Sequence, residues 1–194
     1  MNTTGLLPDL REAQRCHCHF EVMDAALACT PDEGLVLEFG VFQTTSINHT
    51  AGRLPGRLVH SFASFEGLPD FWRPDFEPGM FSTDGRLPPV RANVRLIKGW
   101  FDASLPAFCR AGRAPIALLH VDCDLYSSTR CVFDQLGNRL IQGSIIVFDE
   151  LFNYPGREDH EFRAFTAFAA ARTLSYEYLA FNAEHEQVAI RVTG

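Results

Sequence analysis

Residues 116–154 read IALLHVDCDLYSSTRCVFDQLGNRLIQGSIIVFDELFNY. Two apolar runs, Ile116 to Val121 and Ser144 to Phe148, each end abruptly in carboxylates: Asp122 and Asp124 after the first, Asp149 and Glu150 after the second. Runs this short and rich in Ile, Leu and Val fit strands buried on both faces of a parallel sheet. Between them, over Tyr126 to Ile141, Val132, Phe133, Leu136 and Leu140 recur at helical spacing, and Gly143 closes the segment. The stretch is a βαβ unit. Both strands then point the same way, and their carboxyl ends bring all four acids to the sheet edge where open α/β folds bind ligands.

Four carboxylates at one edge repel one another unless protons or a cation intervene. Oxygen-only donors of this kind suit a hard divalent ion, magnesium before calcium or manganese. The same positions also serve helix capping, since Asp124, Ser127 and Ser128 stand where the following helix begins.

Outward from this unit the chain alternates. Asp9 to Cys29 has a helical rhythm, so residues 1–30 form an N-terminal helical segment. Leu35 to Phe39 is a short strand running into Glu38-Phe39-Gly40 and then a helix. An acid, a glycine and a helix start in that order are how nucleotide-like cofactors are commonly held, which makes Glu38 and Gly40 candidates. Arg57 to Phe62 is a second strand. Residues 66–93 form a lid or substrate loop, because a compact domain rarely carries so long a connection without a use. Its aromatics are Phe71, Trp72, Phe76 and Phe81. Val94 to Lys98 is a third strand, and Phe101 to Ala111 a short helix interrupted near Pro106. After the acid-ended unit come a helix over Glu158 to Arg172 and two strands, Tyr176 to Asn182 and Gln187 to Val192, joined as a hairpin. The expectation is one α/β domain over residues 1–194: a Rossmann-like, seven-stranded, mostly parallel sheet with helices on both faces and a C-terminal antiparallel hairpin.

Composition bounds the partners. The 194 residues are 46% hydrophobic and carry a net charge of −7, which argues against a nucleic-acid partner held through a basic face. No apolar run is long enough to span a membrane and Met1 to Leu10 lacks the regions of a signal peptide, so cytoplasmic residence is the default. The six cysteines have no disulfide-framework spacing. Cys16-His17-Cys18-His19 is contiguous within the expected first helix, where neighbours point in different directions, and reads as structural or incidental rather than as a zinc cluster. His120, inside an apolar strand, reads as a satisfied core histidine.

Taken in order, LEFGVF-x-x-x-SIN, SF-x-SFEGLPD-x-W, KGWFD-x-SLP, HVDCDLYSST and VFDE-x-FNYPG resemble the metal-dependent O-methyltransferases of the macrocin and mycinamicin sugar type, within the class I S-adenosylmethionine fold. The resemblance runs from about Leu35 to the C-terminus. It implies a magnesium ion on Asp122, Asp149 and Glu150, and Asp124 as general base for a substrate hydroxyl, with Asp122 also at the reacting centre. It implies S-adenosylmethionine held near Glu38, Gly40, Thr44, Ser46, Ala63, Ser64 and Asp122. The acceptor would be a small hydroxylated molecule, a sugar or polyhydroxylated natural product, and the chain would form a homo-oligomer through its N-terminal segment.

Two positions depart from the family pattern. Thr44 stands where the second glycine of the turn is expected, and Ala63 where an Asp would reach the cofactor ribose. Loss of a charge-assisted carboxylate contact predicts weaker cofactor binding. Two alternatives follow: the fold serves another metal-assisted reaction, or it is a non-catalytic binding protein.

Overall fold

A computed structural model describes residues 8–194, and residues 1–7 of the N-terminal segment lie outside the described residues. In chain order the elements are β1 (Gln14–Cys16), α1 (His19–Cys29), β2 (Leu35–Phe39), α2 (Thr45–Arg53), β3 (Val59–Ala63), β4 (Val94–Lys98), α3 (Phe101–Ala111), β5 (Ile116–Val121), α4 (Tyr126–Leu136), β6 (Ile145–Phe148), α5 (Glu161–Arg172), β7 (Tyr176–Asn182) and β8 (Val188–Val192). They form one eight-stranded sheet in the order β1-β7-β8-β6-β5-β2-β3-β4. Only β8 runs against its neighbours, β6 and β7; the remaining pairs are parallel. The expected alternation and hairpin are therefore present. No helix among the described residues is long and apolar enough to cross a membrane.

The central strands β2, β5 and β6 are largely apolar because both faces are covered, whereas the edge strands β1 and β4 carry Gln14, Arg15, Arg95 and Lys98. Alternate residues serve the two sides. Val36, Leu118, Ile145 and Val147 pack under α1 and α2 with Val22, Met23, Ile47 and Ala51. Leu37, Leu119, Ile146 and Phe148 pack under α3, α4 and α5 with Leu105, Val132, Phe133 and Phe165. The second face is built largely from phenylalanine: Phe39 stacks on Phe62 at 4.8 Å, Phe133 on Phe168 at 4.6 Å, and Phe148 meets Phe165 at 5.0 Å.

The N-terminal segment differs from the expected single helix. Among the described residues it has a 3-10 turn over Pro8–Arg11, then β1 at the sheet edge beside β7, and an α-helix only from His19. The helical rhythm of Phe20, Met23, Ala26 and Leu27 was local to α1, whereas β1 is held by pairing with residues more than 160 positions away, which no local pattern reveals. This strand is the eighth, beyond the seven expected. Pro106, expected to interrupt the helix at Phe101–Ala111, is accommodated within α3.

Register delivers the acids. β5 lies between β2 and β6, with Phe39 opposite Val121 and Val121 opposite Phe148. Beyond the last pairs, the Asp122 N–H donates to the Phe39 carbonyl and the Asp149 N–H to the Val121 carbonyl, each at 2.9 Å. Gly40 makes this approach feasible: at φ +103°, a Cβ there would stand 1.6 Å from the Asp122 carbonyl oxygen. Gly40→Ala should therefore destabilise the protein by about 3 kcal/mol or more through strain and overlap. Gly56→Ala, where nothing lies within 4 Å, should change stability by less than about 1 kcal/mol. Urea denaturation of both variants checks the contrast, and equal effects would contradict it.

Candidate functional site

A cavity of about 610 Å³ opens at the carboxyl edge of β2, β3, β5 and β6. That size is ordinary for a cofactor or small-ligand site. Of the residues singled out from sequence, Gly40, Ala63, Ser64, Asp122, Asp124, Asp149 and Glu150 line it. Thr44 and Ser46 instead line a smaller neighbouring hollow of about 260 Å³, together with His19, Phe42 and Asp122. Glu38 lines neither. It is buried at the end of β2, where it accepts a hydrogen bond from Ser46 Oγ at 2.8 Å and meets His120 Nδ1 at 3.1 Å.

The loop over residues 66–93 supplies part of the cavity lining. Leu68, Trp72, Phe76 and Phe81 pack with Leu125. Trp72, Phe76 and Phe81 line the cavity, but Phe71 is 48% exposed and lies outside it. Arg73 ties the loop down. Its guanidinium donates to both oxygens of Glu186 at 2.9 and 3.0 Å and sits 3.9 Å over Trp72 and 4.9 Å over Tyr154. Stacking and a bidentate carboxylate are interactions that suit arginine and not lysine.

Four residues lining the cavity or the neighbouring hollow, Thr44, Phe65, Phe81 and Asp124, have a left-handed φ that is uncommon for side-chain-bearing residues. Asp124 has φ +60°, and no side-chain capping bond forms at the start of α4, where Leu125 is the N-cap. Thr44 has φ +61°, the left-handed conformation that favours glycine, although threonine is β-branched. Its hydroxyl accepts from Asn48 Nδ2 at 3.1 Å. Gly40, expected to open backbone room for a ligand, has its side-chain space taken by the Asp122 carbonyl.

The electrostatics follow from burial and crowding. Burial and the charge of Asp149 push Asp122 well above the ordinary carboxylate range, with His120 opposing. Burial and the neighbouring acids do the same to Glu150. Asp124 is raised to about 7 by burial and Asp149, while Arg73 pulls it down. Asp149 is the exception: burial alone would raise it, but His120 and His19 beside it overcome that and hold it far below the usual range. His19 Nδ1 lies 2.7 Å from Asp149 Oδ1. Burial disfavours charge on His120, yet Asp149 and Glu38 raise its pKa well above the ordinary value.

A sixth acid was not apparent from sequence. Glu161, the first residue of α5, is fully buried; its two oxygens accept from the N–H groups of Cys123 at 3.2 Å and Glu150 at 3.4 Å. Burial and Asp124 raise it to about 8, against the two backbone donors. It clasps the ends of β5 and β6 together. Asp102, Trp100 and Phe101, at the start of α3, also line the cavity and were not singled out as site residues from sequence.

The donor set fits a hard cation. Oxygens of Asp122, Asp149 and Glu150 lie within 4.8 Å of one another, and Glu150 Oε2 is buried with no hydrogen-bond partner. Three acids of which two resist ionisation are what a divalent ion would relieve. For S-adenosylmethionine the aromatic and small side chains around the cavity fit, while Ala63 offers no carboxylate at the end of β3.

Residues 86–177 match the family model described as macrocin-O-methyltransferase (TylF). No curated protein matches the chain. Among solved structures, the chain is similar to the calicheamicin methyltransferase CalS11, with a TM-score of 0.68 and 20% identity over 89% of this chain and 76% of that one. It is similar to the O-methyltransferase NovP, with a TM-score of 0.66 and 19% identity over 90% of this chain and 80% of that one. MycE, a methyltransferase from the mycinamycin pathway solved with Mg and SAH, aligns at a TM-score of 0.54 and 11% identity over 90% of this chain but 48% of its own. The chain thus has the fold of these methyltransferases, and the segment that carries its acid-ended strands is similar to the macrocin-O-methyltransferase model.

Proposed function

We propose that this protein is a divalent-metal-dependent O-methyltransferase moving a methyl group from S-adenosylmethionine to a hydroxyl of a sugar or polyhydroxylated natural product. The observation that carries the reading is the convergence of Asp122, Asp124, Asp149 and Glu150 on one cavity lined in part by an aromatic loop. When bound, S-adenosylmethionine supplies an electrophilic sulfonium methyl group, and magnesium lowers the pKa of the acceptor hydroxyl. Asp122, Asp149 and Glu150 would hold the ion. Asp124, with its pKa near neutrality, is matched to taking the hydroxyl proton as that oxygen attacks. Gly40, Ala63, Ser64, Trp100 and Phe101 would take the cofactor's adenosyl portion, and Glu38 would act by fixing Ser46 and His120 from below. Trp72, Phe76 and Phe81 would form the lid that excludes water and presents flat surfaces to the acceptor. Self-association through the N-terminal segment belongs to the same reading, with solution mass as its test.

Ala63 favours one second reading, a metal-binding protein with little cofactor affinity. Calorimetric titration with S-adenosylmethionine separates the two. The wild type should bind, and Ala63→Asp should bind about tenfold more tightly or better by restoring a charge-assisted contact. Asp124→Asn should keep cofactor affinity within about twofold and lose at least about a hundredfold in turnover on a hydroxylated acceptor. Absence of binding in both wild type and Ala63→Asp would remove the methyl-transfer reading.

The crowded acids also set a pH dependence. Asp122, Asp124, Glu150 and Glu161 have folded pKa values above their unfolded ones. Their contribution to stability is therefore fully present below roughly pH 4. It is lost as pH rises through the folded values, about 7 for Asp124 and about 8 for Glu161. His120, also raised, acts with the same sign. The metal-free protein should melt at progressively lower temperature from about pH 5 to about pH 8, and millimolar magnesium should reverse most of the loss at the upper end. A melting temperature that climbs across this interval without metal would contradict the assignment.

A further inference from the structure

His120 Nε2 is buried with no hydrogen-bond partner among the described residues, and it faces Asp149 Oδ1 across 3.9 Å. That separation is too long for a hydrogen bond. The His120 ring is fixed from behind, Nδ1 against Glu38 Oε2 at 3.1 Å. A carboxylate on one imidazole nitrogen is the arrangement that sets the tautomer of a metal-binding histidine and aims its other nitrogen at the ion. His19, at the start of α1, brings Nδ1 to 2.7 Å from the same Asp149 oxygen. One donor atom from each of the three residues lies within 4.8 Å of the others. With metal–ligand bonds of about 2.0–2.2 Å, neighbouring ligand atoms on one ion stand roughly 3 to 4 Å apart.

We propose that His19, His120 and Asp149 form a second divalent-cation site, for a transition ion of the zinc class, which shares Asp149 with the all-oxygen set of Asp122, Asp149 and Glu150. Two imidazoles and one carboxylate suit borderline ions and not magnesium, whose preference is for oxygen. Three protein ligands leave a coordination position open. The hollow of about 260 Å³ lined by His19, Phe42, Thr44, Ser46 and Asp122 gives that position access to solvent. The site does not depend on methyl transfer, since it uses no cofactor and none of the acceptor-facing residues except Asp149.

Titration of the metal-free full chain with Co²⁺, read by visible absorption, and with Zn²⁺, read against a chromophoric chelator, tests the site. The expected result is one Co²⁺ per chain with the ligand-field bands of a four- or five-coordinate nitrogen–oxygen site, undisturbed by millimolar Mg²⁺. His19→Ala should weaken Zn²⁺ binding at least about tenfold, with His19→Gln as the second variant should the first not fold. Asp122→Asn should leave Zn²⁺ affinity within about threefold. Three results would each overturn the proposal: no Co²⁺ bound by the wild type, unchanged affinity in the folded His19 variant, or a loss in Asp122→Asn matching that in His19→Ala. The last would place the ion on the acids alone, and the first would leave a proton on His120 as what fills the gap. Zn²⁺ binding through His19 in a protein that takes up no S-adenosylmethionine would remove the methyl-transfer reading and leave this site standing.

Discussion

The constraint on which the rest of the structure depends is the crowding of carboxylates at the buried ends of β5 and β6. Parallel pairing places Asp122 beside Gly40 and Asp149 beside Val121 through main-chain hydrogen bonds, so the acids have no freedom to move apart without breaking the sheet. Like charges in a poorly solvated site either bind protons or attract a cation. The protein answers differently at different members of the cluster. Asp149 keeps its charge against two histidines, while Asp122 and Glu150 are pushed toward the protonated state.

Neighbouring elements are arranged around that cluster. Glu161 uses a buried carboxylate as a backbone clasp, joining the turn after β5 to the end of β6. Arg73 on the loop is committed to Glu186 and to aromatic faces, and it tempers Asp124 without neutralising it. The loop is thereby joined electrostatically to the site it lines. On the other side, α1 supplies His19, β2 supplies Glu38 and β5 supplies His120, and the two histidines with Asp149 carry the proposed second cation site.

Much of this was legible in one dimension. The apolar runs ending in Asp122, Asp124, Asp149 and Glu150, with a helix between, specified adjacent parallel strands and a shared acidic edge. What escaped were residues whose partners are remote. Glu161 fell unremarked inside the helix expected over Glu158 to Arg172, because its targets are 11 and 38 positions away. His19 looked incidental inside a CHCH run because the helix was expected to begin at Asp9; with β1 intervening, Cys16 is buried, Cys18 is exposed and His19 turns to Asp149. His120 was read as satisfied, and it is so only at Nδ1.

The sequence by itself determined the elements from Leu35 onward, their alternation and the acids at their ends, since hydrophobic period and chain breakers act over a few residues and need no partner. Tertiary structure alone decided which acids share a cavity, which keep their charge and which nitrogens are left facing them. Those outcomes depend on burial and on distances between β5, β6, α1 and α5, and electrostatic interactions of that kind are set by position in space, not in the chain.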